Sequence, residues 1–134
     1  MILLKYFFLW FVLLFFAFVN AFLRELTYKE TFGEMVSHQI SVFTGIAIIG
    51  IPIWFISKTW PYKNSSQAIQ VGVLWAIMTE MFEVSMMVFS QGKSVMDFLY
   101  VHNIFAGQFW GLIILWVAIA PYLFYKKMKS KSGA

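Results

Sequence analysis

Glu80 and Glu83 lie three residues apart in an otherwise apolar stretch, so on a helix they share one face, with Thr79 beside them. Two carboxylates at that spacing can share a proton, titrate as a coupled pair, or hold a cation. A carboxylate at the centre of a membrane helix costs on the order of 2.5–3.5 kcal/mol, so such groups usually pair, point inward and serve function. The best-placed cation by depth is Arg24, one helical turn after Asn20. Two carboxylates and one guanidinium do not balance. A site made of all three needs a proton on one glutamate, a bound cation, or help from His38. In the bland alternative, Arg24 and one glutamate form a buried ion pair that only fixes helix register. Asn20, His38 and Gln108 are the secondary site candidates.

Other chemistry is thinly supported. His38, His102 and the glutamates have the donor types for a metal such as zinc, but no His-x-x-x-His or Glu-x-x-His spacing defines one, and no cofactor is specified. The chain has no cysteine, which excludes disulfides, thiolate metal sites and thioether haem attachment. A membrane enzyme using Glu80 or Glu83 as general acid or base on a lipid-like substrate ranks last, for want of a recognisable nucleophile or metal set.

The elements that must position these residues are apolar helices. Of 134 residues, 61% are hydrophobic and 12% charged, and the mean hydropathy is +0.77. A soluble domain of this size could not keep that composition off its surface. The expected fold is all-α, an integral membrane four-helix bundle forming a single domain over residues 1–134, with spans at about 2–22, 38–56, 67–89 and 104–125 and a basic tail at 126–134. Val19-Asn20-Ala21 resembles a signal-peptide cleavage site, but the apolar stretch exceeds the usual roughly 7–15 residues and reads as a retained helix. Loop one, residues 23–37, intersperses charges with Leu26, Phe32, Met35 and Val36, the pattern of a partly helical interfacial segment. In loop three, Ser94 and Asp97 have the spacing of a capping box for a short surface helix. Gly45, Ala47 and Gly50, and Gly107-x-x-x-Gly111 with Ala118, permit close helix contacts. Pro52 and Pro121 are expected to kink their helices.

The net charge of +4 does not indicate nucleic acid, because four of the ten cations, Lys126, Lys127, Lys129 and Lys131, fall in the tail, where anionic lipid accounts for them. Lys5, Lys58, Lys63 and those four lie on one side of the expected spans; Arg24, Lys29 and Lys93 lie on the other. Seven against three predicts cytoplasmic amino and carboxyl termini. The polar residues then converge in the outer half of the bilayer, and the inner half is apolar.

Asn20 to Glu25, Ser37-His38-Gln39-Ile40-Ser41, Glu80 to Glu83, Asn103 to Trp110 and Ala120-Pro121 together resemble a family of short, uncharacterised bacterial inner-membrane proteins. The resemblance implies a bacterial inner-membrane location and a basic residue where Gln108 stands; it carries no activity. The small multidrug transporters, the dual-topology fluoride channels and the glutathione-using membrane enzymes lack matching signatures. The functional expectation is an outer-leaflet pocket of Arg24, Glu80 and Glu83 that binds a proton, a cation or a small polar ligand, in a homo-oligomer or beside a partner membrane subunit. The runner-up is a structural or accessory subunit of a larger membrane complex.

Overall fold

The computed structural model describes residues 2–131, with side chains described for 4–128; the side chains of Lys129 and Lys131 and the last three residues of the tail lie outside that range. The described chain is helical without strands. Its α-helices are α1 (Ile2–Leu23), α2 (Lys29–Thr59), α3 (Ser65–Ser85), the short α4 (Val95–Tyr100) and α5 (Trp110–Lys131). π-helical turns at Arg24–Tyr28 and Met86–Ser90 follow α1 and α3, and a 3-10 turn at Ile104–Ala106 precedes α5.

Three helical runs are long and apolar enough to cross a membrane: Leu4–Thr59, Ser65–Ser90 and Trp110–Met128. The first, with 56 residues, would measure about 84 Å if straight, far beyond a hydrocarbon core of roughly 30 Å. It doubles back instead. Gly33 takes φ +83° and breaks the helix, and Tyr6 Oη near the start of the run donates to Trp60 O just past its end, at 3.2 Å. The apolar part of α2 is thus antiparallel to α1.

In the packing, α1 lies against α2, α2 against α5, α5 against α3, and α3 more sparsely against α1. The core between them is built from large residues, with Trp75, Ile53 and Val71 fully buried. A buried indole N–H is stabilised by an acceptor; Trp75 and Trp10 find one, whereas the enclosed Trp116 Nε1 has none among the described residues. Trp75 Nε1 donates to Tyr6 O at 2.8 Å, and Trp10 Nε1 donates to Thr79 Oγ1 at 2.9 Å, so α1 and α3 are strutted together. At the far end Ser57 Oγ and Tyr62 Oη lie 2.8 Å apart in a buried pair, and burial pushes the Tyr62 hydroxyl well up from its ordinary value.

α3 and α5 approach closely at Gly72. A methyl group on Gly72 would fall 2.0 Å from Ala118 O, so only glycine fits there. The Gly107-x-x-x-Gly111 pair plays no such part within the chain: Gly107 has φ +84° and ends the 3-10 turn, and Gly111 has only His102 O at 4.0 Å. Neither proline ends its helix, since α2 continues through Pro52 and α5 through Pro121.

Helix bounds differ from the sequence expectation at two places. α2 begins at Lys29, because loop one is itself helical and is interrupted only at Gly33. α5 begins at Trp110, because the left-handed Gly107 prevents the chain from 104 onward from continuing as one helix. The capping box forms as the spacing predicts: Ser94 Oγ accepts from Asp97 N at 3.1 Å and Asp97 Oδ2 accepts from Ser94 N at 3.0 Å. Those bonds hold the exposed Asp97 carboxyl below its ordinary value.

Candidate functional site

The polar residues gather where α1 and α3 end and the apolar part of α2 and α5 begin, in two hydrogen-bonded groups. The first joins α1 to α2. Asn20 is buried, and its Nδ2 donates to Ser41 O at 2.9 Å and to Ser41 Oγ at 3.1 Å. Its Oδ1 accepts from Thr44 Oγ1 at 2.7 Å. Gly45 leaves the room: a methyl group there would come within 3.0 Å of Asn20 Nδ2. Arg24, one turn on along the same face, donates from Nη1 to Ser41 Oγ at 3.2 Å and places Nη2 3.8 Å from Glu25. The guanidinium is thereby turned towards α2, and no hydrogen bond or ion pair joins it to Glu80 or Glu83.

The second group centres on Glu80 and draws its partners from loop three and α5. Glu80 Oε1 accepts from Trp110 Nε1 at 2.7 Å. Glu80 Oε2 lies 2.7 Å from His102 Nε2, and His102 Nδ1 lies 3.0 Å from Phe98 O. A carbonyl oxygen can only accept, so Nδ1 carries a proton and donates it. The 2.7 Å contact then holds one proton between nitrogen and carboxyl oxygen, as imidazolium with carboxylate or as imidazole with carboxylic acid. The pair is neutral in either form.

Glu83, one turn further along α3, is partly buried and has no hydrogen bond or ion pair to another described residue. The charges that reach it are those of Glu80, Lys93, Arg24 and His102. His38 is partly buried on α2; its Nδ1 is enclosed and has no hydrogen-bond partner among the described residues. Gln108 touches Met35 Sδ at 3.9 Å through Nε2, and the loop before α5 is tied to α2 by Gln39 Nε2 donating to Gly107 O at 2.9 Å. Among the described residues no group of three or more His, Asp or Glu side chains is arranged to hold a metal ion.

The structure therefore brings Asn20 together with Arg24, and sets Glu80 beside two donors that spacing did not single out. His102 reads from the sequence as an interfacial hydrogen-bonding residue of loop three and Trp110 as part of a span. One signal pointed to them: a deep carboxylate needs donors, and the loop and helix that follow α3 are the nearest source in the chain. Comparison of the chain with protein-family models, with curated proteins and with solved structures found no match.

Proposed function

We propose that the chain is a four-span membrane bundle with both termini in the cytoplasm, in the inner membrane of a bacterium, and that its outer-leaflet end takes up a proton or a cation at Glu83. The topology rests on the seven-to-three division of Lys and Arg. The bacterial setting rests on the sequence resemblance alone.

One observation carries the site: Glu80 has a hydrogen-bond partner on each oxygen, whereas Glu83 on the same helix has none. A carboxylate without partners at that depth is costly unless it gains a proton or a counter-ion. Glu80 already has a partner at each oxygen, so Glu83 is the group with chemistry left to do. Arg24 and Lys93 supply positive potential at the rim and limit how much further cationic charge the pocket takes. A small polar ligand fits the same site as a hydrogen-bond donor to Glu83.

The test uses the full chain reconstituted in lipid. Infrared titration of the protonated carboxyl C=O band should show a titrating signal that disappears in Glu83→Gln and persists, shifted, in Glu80→Gln, with both variants folded by circular dichroism. Retention of the whole signal in Glu83→Gln, with no loss of alkali or divalent cation binding by calorimetry, overturns the assignment.

A further inference from the structure

We propose that the groove between α2 and α5 is a binding site for one anionic phospholipid, with an acyl chain along the groove and the phosphate between Lys58 and Lys127. The groove has a volume of about 460 Å³ and is lined by Ala47, Gly50, Ile51 and Trp54 on α2 and by Trp116 and Phe124 on α5. Two small residues give it depth. Gly50 lets the Trp116 indole lie against α2, since a methyl group there would come within 3.2 Å of the ring, and Ala47 leaves the wall beside it low. Phe124 meets Trp116 edge to face, with 6.1 Å between ring centroids. Ala47 and Ile51 are exposed, so the groove is open along its side.

An open apolar groove in a membrane protein does not by itself name its occupant; the charges at its end and its length do. The α2 row Ala47, Ile51 and Trp54 continues at the same helical spacing to Lys58, whose Nζ lies over the Trp54 ring at 5.0 Å. On α5 the exposed Lys127 stands one turn after Phe124. Both walls therefore end on a cation, and at the same end. From Ala47 to Lys58 the helix runs about 16 Å, half of a hydrocarbon core of roughly 30 Å. That is the reach of one acyl chain in one leaflet, from its headgroup to the bilayer centre.

The headgroup must bring negative charge, because the chain has none to offer there. All six acidic residues, Glu25, Glu30, Glu34, Glu80, Glu83 and Asp97, belong to the opposite end, and the ion pairs among the described residues include neither Lys58 nor Lys127. A phosphate supplies the missing partner. A zwitterionic lipid fills the groove as well but sets its own cation beside the lysines. A second copy of this chain in the same orientation brings its lysines against these, which like charge opposes. The inference rests on the membrane insertion proposed above, holds for either orientation, and does not involve Glu83.

The full chain in mild detergent is titrated with dioleoyl phosphatidylglycerol and with dioleoyl phosphatidylcholine, and bound lipid is counted by native mass spectrometry. Phosphatidylglycerol should bind at one per chain and at least tenfold more tightly. Lys58→Gln with Lys127→Gln should cut that preference to threefold or less. Lys5→Gln with Lys63→Gln, which removes the same charge from the same end, should leave it intact. Ala47→Phe fills the groove and should weaken binding of both lipids at least fivefold. Equal affinity for the two lipids, equal losses in the two lysine pairs, or undiminished binding by Ala47→Phe overturns the proposal. The unaltered chain gives a test free of folding defects: in phosphatidylcholine liposomes, phosphatidylglycerol brominated on its acyl chains should quench tryptophan fluorescence more strongly than phosphatidylcholine brominated at the same carbons. Equal quenching overturns this site alone; quenching by neither lipid overturns membrane insertion as well.

Discussion

At the scale of residues, the asymmetry between Glu80 and Glu83 follows from what stands beside each. Loop three and α5 reach Glu80 with an imidazole and an indole, and nothing equivalent reaches Glu83. Trp110→Phe keeps the ring and removes the N–H, leaving Glu80 Oε1 without its donor. It should destabilise the protein by about 1–2 kcal/mol, measured by denaturation in detergent, because a partly buried carboxylate loses a charge-assisted hydrogen bond. Trp10→Phe should cost less, since its acceptor is the neutral hydroxyl of Thr79; the reverse order would show that the Glu80 contact does not form. The two acids were legible in the sequence, because an ionisable side chain in an apolar run stands out at once. Their partners were not, because spacing along one helix says which residues share a face and not which neighbour that face meets. Arg24 illustrates this: the face it presents is the one that packs on α2.

At the scale of elements, glycine sets how closely helices pack and where they stop. Gly72→Ala should destabilise by about 1–3 kcal/mol or more, because the new methyl meets backbone at Ala118 and no flexible side chain can give way. Gly111→Ala has open space and should be neutral or slightly stabilising by about 0.5–1 kcal/mol, as alanine is the better helix former. Thermal denaturation of both variants checks the contrast, and equal losses would contradict the packing described. The small-residue pattern Gly107-x-x-x-Gly111 pointed to a helix contact, and the fold uses its first glycine as a turn instead. A glycine's identity permits both uses, and only the backbone it occupies separates them. The capping box at Ser94 and Asp97 was readable in advance, because both of its bonds close within four residues.

At the scale of the whole molecule, the division of cations and the single-level gathering of polar groups are one fact seen twice. The polar end holds three Lys and Arg residues and the opposite end seven. In intact cells a membrane-impermeant maleimide should label Lys93→Cys and spare Lys63→Cys until the membrane is broken. Labelling of Lys63→Cys in intact cells would reverse the proposed topology and move the glutamate site to the cytoplasmic leaflet.

Composition and periodicity determined that this chain is helical, that its helices are long and apolar enough to cross a membrane, and which acids stand out within them. These are properties of residues and of their neighbours in the chain, and hydropathy and local hydrogen bonding express them directly. The tertiary structure alone decided that Tyr6 meets Trp60, that Arg24 turns to Ser41, and that His102 and Trp110 close on Glu80. Those contacts join residues 17 to 54 positions apart. They depend on the rotation of each helix about its axis, which packing against the other helices sets and no local pattern encodes.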